Sequence, residues 1–297
     1  MRTRRLGPLE VTVAGLGCNN FGGRIDEAAS LAVIDAALDA GVTFFDTADV
    51  YGNGGGSESI IGRALAGRRD RVVLATKFGK PMNGVKRRGS RSYIRSSVEK
   101  SLLRLQTDVI DLYQHHEEDP DTKLEETFGT LDELIAEGLI RAYGTSNYAP
   151  HTLRRVREIA GPGFVSEQGQ YSWLARRAED ELLPTCRELG LGFIPYFPLA
   201  SGLLTGKVSR DRPAAEGTRL YGRRIDDWKL DRVEAVRQWA EAHGRTMLDV
   251  AIGGLAAVPP VVSVIAGATK PEQVRANAAA AEWEPTDEEL RELLAGV

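Results

Sequence analysis

Short apolar runs alternate with stretches of helical period along most of the chain. Runs of strand length fall at residues 14–17, 42–45, 72–75, 109–113, 140–143, 164–168, 192–196 and 261–265. Between them, segments at 27–40, 59–66, 92–105, 124–137, 153–159, 179–189 and 231–242 carry the helical repeat. Several have proper ends: Asp26 precedes the first, and Gly41, Gly138 and Gly190 stand just past three C-termini. Strict alternation of strand and helix implies parallel strands with right-handed crossovers. Eight such units close into an α/β barrel, a (β/α)₈ TIM-type fold, more naturally than they open into a sheet. Residues 9–13 alternate apolar and polar after the Gly7-Pro8 turn and read as the second arm of an N-terminal β-hairpin. No interior linker rich in Pro, Gly or Ser marks a boundary, so residues 1–297 read as a single domain.

Two connections, 79–91 and 199–228, are longer than packing requires. Each follows the carboxyl end of a strand, the face on which barrels keep their sites, and each reads as a functional lid. Composition adds mainly exclusions. A content of 42% hydrophobic and 27% charged residues is that of an ordinary globular chain. The net charge of −4 argues against a nucleic-acid or anionic-membrane binder, so any anion site must be built locally. Cys18 and Cys186 are too few for a disulfide framework and are not spaced as metal ligands, which points to a reducing compartment. With no apolar leader region after Met1 and no apolar run of about 18 residues, a cytoplasmic protein is expected.

The chemistry gathers where strands end. The apolar run at 42–45 passes directly into Asp46, then Tyr51, then a glycine-rich loop. Taken alone, Asp46 as a helix cap and Tyr51 as rim packing explain that segment equally well. Lys77 ends the next strand, where a buried cation needs a partner and Asp46 can supply one. The strand after that ends in His115-His116, and alternation lets at most one of the two share the direction of the pocket residues. A phenol of ordinary pKa near 10 is a poor proton donor at neutral pH unless a nearby cation lowers it. A lysine held by a carboxylate supplies that cation. The group therefore reads as a tyrosine general acid protonating an oxygen that becomes an alkoxide, with a histidine as second donor or orienting group.

These segments resemble the aldo-keto reductase family over essentially the whole chain. The resemblance rests on Phe45-Asp46-Thr47-Ala48-x-x-Tyr51-Gly52 with Ser57-Glu58 and Gly62, and on Thr76-Lys77-Phe78-Gly79. It continues through Asp111-Leu112-Tyr113-Gln114-x-His116, Gly144-Thr145-Ser146-Asn147-Tyr148 and Gly202-Leu203-Leu204-Thr205-Gly206-Lys207. The likeness is nearer to the bacterial and potassium-channel β-subunit branch than to the long-tailed steroid-active members. It implies a catalytic tetrad of Asp46, Tyr51, Lys77 and His116 and an NADP(H)-dependent reduction of an aldehyde or ketone, with no metal. Consistently, no G-x-G-x-x-G follows a strand and opens a helix, and the family holds its dinucleotide without that motif.

By the same resemblance, Ser146, Asn147 and Gln168 hold the nicotinamide carboxamide and Tyr196 stacks on the ring. Pro198, Leu199, Ser201, Leu203 and Lys207 wrap the pyrophosphate. Gly267, Thr269, Lys270 and Gln273 meet the adenosine 2′-phosphate, and Asn277 the adenine. Gln273 and Ala276 stand where many members have arginine and glutamate, which weakens the preference for NADPH over NADH, and Lys270 partly restores it. The chain stops soon after its last helix, so an open pocket for a small-molecule carbonyl substrate is expected, lined by Asn20, Phe21, Phe78, Trp173 and His115. Two rival readings are a cofactor-sensing barrel and a Schiff-base aldolase using Lys77.

Overall fold

The computed structural model describes residues 1–80 and 84–297. An antiparallel hairpin, β1 (Thr3–Leu6) and β2 (Leu9–Thr12), precedes eight parallel strands. These are β3 (Ala14–Gly17), β4 (Phe44–Asp46), β5 (Val73–Phe78), β6 (Ile110–His115), β7 (Ile140–Ser146), β8 (Phe164–Gln170), β9 (Gly192–Tyr196) and β10 (Val264–Gly267). Each pairs with the next in sequence, and β10 returns to β3. The remaining gap is bridged ahead of β10, where the Phe193 amide donates to Pro260 O and the Val262 amide to Phe193 O. The run expected as one strand at 261–265 is thus divided. Val261 pairs toward β9 and Val264 toward β3, because one segment must serve both edges as the staggered sheet closes. The result is the expected (β/α)₈ barrel with its N-terminal hairpin.

The helices on the outside are α1 (Glu27–Asp39), α2 (Tyr51–Ala64), α3 (Arg91–Leu105), α4 (Leu124–Ala136), α5 (Pro150–Ile159), α6 (Leu182–Glu188), α7 (Asp227–Ala242), α8 (Met247–Asp249), α9 (Pro271–Ala280) and α10 (Asp287–Gly296). Asp26 caps α1 through a bond from the Ala29 amide, as its position promised. The largest apolar cluster lies between these helices and the outer face of the strands.

A second, smaller cluster fills the barrel itself. Leu6, Leu9 and Val11 of the hairpin pack against Phe44, Ala75, Leu112, Ala142 and Ile194, so the hairpin plugs the amino-terminal end of the barrel. Above this apolar layer the inward positions two residues on turn polar: Asp46, Lys77, Gln114 and Gln168. Alternation along paired strands carries this over strand by strand, since Lys77 stands beside Gln114 and Ser146 beside Gln168.

Of the long connections, the segment after β9 forms a short 3₁₀ turn over Ala200–Thr205 and then crosses the carboxyl-terminal face of the barrel. Arg219 donates to Asn20 Oδ1 and Arg24 to the Gly217 carbonyl, which ties this strap to the loop after β3. The other long connection includes 81–83, outside the described residues.

Gly62 shows how tightly α2 seats on α3. A Cβ there would stand 2.4 Å from Arg104 O and 2.7 Å from Leu105 C, both backbone atoms that cannot swing aside. Gly62→Ala is therefore expected to cost about 2 kcal/mol of stability through overpacking, read as a lower urea midpoint at unchanged slope. A midpoint equal to wild type would show that the two helices separate freely.

Candidate active site

The floor of the site is a buried ion pair. Lys77 is 0% exposed, and its Nζ lies 2.5 Å from Asp46 Oδ1 and 2.9 Å from Thr47 O. The second oxygen of Asp46 accepts from Gln114 Nε2 at 3.0 Å and Gln168 Nε2 at 2.9 Å. Burial pulls the Lys77 pKa down, but the Asp46 carboxylate, with help from Tyr51, more than offsets it and holds the pKa above its ordinary value. The ammonium stays charged where no solvent reaches it.

Tyr51 stands over this pair. The run Gly52, Asn53, Gly54 and Gly55 takes φ of 68°, 63°, 91° and 102°, so the chain loops back before α2 settles into regular helix. At Gly52 a Cβ would meet Ser57 N at 2.5 Å and Phe21 O at 2.6 Å, so only glycine closes this loop. Lys77 Nζ is 5.3 Å from the Tyr51 ring centroid, and the His116 ring meets it edge-on at 5.9 Å and 86°.

The expectation that Lys77 draws the phenol below its ordinary pKa needs correction. Burial is the largest influence and raises it, Lys77 lowers it, and the net direction is upward. Tyr51 therefore remains a protonated phenol through neutral pH.

His116 extends the inward parity of Leu112 and Gln114, whereas His115 points outside the barrel wall. Burial, then the Lys77 and Lys80 charges, push His116 down to about 2, so the imidazole is neutral. Its Nδ1 is buried without a hydrogen-bond partner among the described residues. His115 stacks on Phe78 at 4.8 Å, and its Nδ1 pairs with Tyr148 Oη at 2.7 Å.

A cavity of about 1310 Å³ opens above Asp46, Tyr51 and His116 and runs as a trough to the start of α9. One end is walled by Ser146, Asn147, Gln168 and Tyr196, followed by Pro198, Leu199, Ser201 and Lys207. The other end reaches Gly267, Thr269, Lys270, Gln273 and Asn277. Leu203, expected at the pyrophosphate, packs its side chain into the core and does not line the trough.

Of the expected substrate residues only Asn20 lines the cavity, with its amide donating to Ala268 O at 3.1 Å. Phe21, Phe78, His115 and Trp173 do not, which corrects their expected place. Phe21 and Phe78 are core residues, Phe78 being sandwiched by Tyr113 and His115. Trp173 lies inside the fold with its indole donating to Val250 O at 2.7 Å. Apolar bulk near a strand end marks burial as readily as a pocket.

The sequence reading missed Gln114, Arg24, Phe197 and Arg219. Gln114 shares the parity of His116 and was legible in principle. Arg219 reaches the trough only through the path of the strap, and Arg24 lines it from the loop after β3.

The walls suit a long, polar, anionic ligand. Asn147 (φ 62°), Phe197 (54°), Ala200 (46°) and Ser201 (60°) all hold left-handed backbone along one side, strain of the kind concentrated at binding sites. Asn147 Nδ2 donates to His116 O and Ser146 Oγ, both at 3.1 Å, while its Oδ1 accepts from Tyr196 Oη at 2.8 Å. At the far end α9 begins at Pro271, and the Lys270 side of that helix start lines the trough together with Thr269 and Gln273. Gln273 Oε1 accepts from the Thr269 amide at 2.7 Å and hydroxyl at 3.2 Å, which leaves the glutamine NH₂ free to donate. Among the described residues no group of three or more potential metal ligands occurs, and no helix is long and apolar enough to cross a membrane.

Comparison with known proteins agrees with this geometry. Residues 14–295 match the model of the Aldo/keto reductase family. A probable aldo-keto reductase 1 of Glycine max is 34% identical over 301 residues, covering 97% of this chain and 86% of the relative. The uncharacterized oxidoreductase YrpG of Bacillus subtilis is 38% identical over 303 residues, covering 96% and 92%. The holo form of aldo-keto reductase AKR11C1 from Bacillus halodurans superposes with a TM-score of 0.84 at 35% identity, covering 99% of this chain and 96% of that one. With the family model spanning nearly all of the barrel, the chain belongs to the aldo/keto reductase family of oxidoreductases.

Proposed function

We propose that this protein reduces an aldehyde or ketone to the alcohol, reversibly, with NADPH. The observation that carries the reading is the Lys77–Asp46 pair, 0% and 2% exposed, beneath a protonated Tyr51 on the floor of a trough that reaches from Ser146 and Tyr196 to Lys270 and Asn277. A bound nicotinamide cofactor supplies the hydride. Tyr51 donates its proton to the carbonyl oxygen as negative charge develops there, and the Lys77 ammonium stabilises the phenolate left behind. Asp46 keeps that ammonium charged and fixed. Neutral His116 holds the carbonyl oxygen by a ring N–H, since an imidazole so far from protonation cannot serve as the acid.

The cofactor is held by groups set before it arrives. Gln168 has spent its NH₂ on Asp46 and Gln114, so its amide oxygen is left to accept from the carboxamide. Ser146 and Asn147 complete that clamp, and Tyr196, steadied by Asn147, covers the ring. Lys270 receives the 2′-phosphate at the positive end of α9, with the Gln273 side chain as a neutral donor in place of a charged fork. An amine nucleophile is disfavoured because Lys77 is charged, fully buried and absent from the cavity wall.

Tyr51→Phe should bind NADPH within about threefold of wild type and lose roughly 10²–10⁴-fold in turnover. Stopped-flow and fluorescence titration separate the two, and near-normal turnover would refute the mechanism. Lys77→Met leaves Asp46 buried and unpaired, so it should lose turnover and about 3 kcal/mol of stability by urea denaturation. A fully active, equally stable variant would remove the ion pair from both roles. Lys270→Met should raise KM for NADPH about tenfold while leaving KM for NADH nearly unchanged, the loss of one charge-assisted contact. Equal effects on both cofactors would place Lys270 away from the phosphate.

A further inference from the structure

Directly behind the carboxamide clamp, on the other side of the barrel wall, lies a carboxyl group that the mechanism does not use. Gln168 points into the barrel toward Asp46, so alternation along β8 sends its neighbour Glu167 outward. Glu167 is 0% exposed and has no ion-pair partner among the described residues. Its Oε2 accepts from Thr145 Oγ1 at 2.5 Å, across the β7–β8 pairing in which these two residues are register partners. Its Oε1 accepts from the backbone amide of Tyr148 at 3.1 Å.

Thr145 and Tyr148 are the two ends of a four-residue bend whose middle is Ser146 and Asn147. One side chain therefore ties both ends of the bend together. The centre is held from β8 as well, because the Asn147 amide donates to Gln168 O at 3.0 Å. Asn147 sits at φ 62°, a conformation that costs roughly 1–3 kcal/mol outside glycine and persists only where surroundings impose it. Its side chain in turn reaches His116 O, Ser146 Oγ and Tyr196 Oη.

We propose that Glu167 is a positioning residue that braces the Ser146–Asn147 bend from behind, and so sets the grip of the site on the nicotinamide carboxamide. The inference rests on the nicotinamide reading above. Burial without a cation pushes the Glu167 pKa up to about 8, against the opposing pull of Thr145 and the Tyr148 and Asn147 amides, so the group is largely a neutral carboxyl at pH 7. The titratable groups whose pKa values its charge influences are Tyr148, Tyr196 and Cys186, none of them cationic. In the neutral form the Thr145 bond reverses: the carboxyl donates its O–H to Thr145 Oγ1, whose own hydroxyl turns to Ser166 O at 3.5 Å, and the other carboxyl oxygen still accepts from the Tyr148 amide. Glutamine can reproduce that pattern, and leucine cannot.

The test compares two ligands on three proteins at pH 7: NADPH, which carries the carboxamide, and adenosine 2′,5′-bisphosphate, which does not. In Glu167→Leu the Kd for NADPH should rise about tenfold while that for the bisphosphate stays within about twofold, and Glu167→Gln should keep both near wild type. Thr145→Val, which removes one arm of the brace at nearly constant shape, should weaken NADPH selectively by about threefold even if Glu167→Leu does not fold. Equal weakening of both ligands would show a general packing role and overturn the proposal, as would unchanged NADPH affinity in Glu167→Leu or Thr145→Val. Wild-type protein that binds the bisphosphate but gains nothing from the nicotinamide half would instead refute the cofactor reading, and the inference with it.

Discussion

An ammonium with no access to water sits at the centre of this barrel, and the rest of the site is arranged around keeping it there. Moving Lys77 out of solvent is costly unless a carboxylate neutralises it and every remaining polar atom nearby is bonded. Asp46 meets the first requirement at 2.5 Å, and Thr47 O, Gln114 and Gln168 meet the second. Four strand ends, β4, β5, β6 and β8, are thereby tied into one polar layer directly above an apolar one. Because each member is bonded to another, none can rotate away without stranding a buried group, and Tyr51 packs over this layer with its ring centroid 5.3 Å from Lys77 Nζ.

The same layer links chemistry to binding. Gln168 serves Asp46 with its nitrogens and leaves its oxygen for a ligand, while Asn147 joins Tyr196 to the His116 backbone. Tyr196 and the His116 backbone are thereby held by one side chain. Of the strained left-handed residues beside the trough, Asn147 is held by these bonds, and across the trough Arg219 of the strap closes on Asn20. Rigidity is built in before any ligand arrives, which is how a site avoids spending binding energy on its own ordering.

Burial sets the proton chemistry as firmly as charge does. Tyr51 lies close to a cation, yet desolvation raises its pKa overall, so Lys77 does not create a phenolate in the resting site. His116 is neutral for the same reason, with two lysines adding to the effect. Spacing along the chain identified both partners but not the depth at which they lie, and depth decided the sign.

The barrel, and Asp46 and Lys77 at its strand ends, were legible in the sequence because they rest on local rules, whereas the choice of His116 over His115 came from the family resemblance. Strand and helix periods are properties of neighbouring residues, and strand ends are where an apolar run meets its first polar side chain. Asp46 and Lys77 announce themselves that way, while alternation by itself says only that at most one of His115 and His116 shares the pocket's direction, and the register that sets Lys77 beside Gln114 is what turns His116 inward. What the sequence could not decide depends on groups brought together from far along the chain. The split closing segment, the inward-packed Leu203, and the burial of Phe21, Phe78, His115 and Trp173 depend on which surfaces the helices and strap cover. Glu167 is the plainest case. On its strand it is one acid beside a glutamine, and only the closed wall removes its water, denies it a cation and sets it behind the Ser146–Asn147 bend.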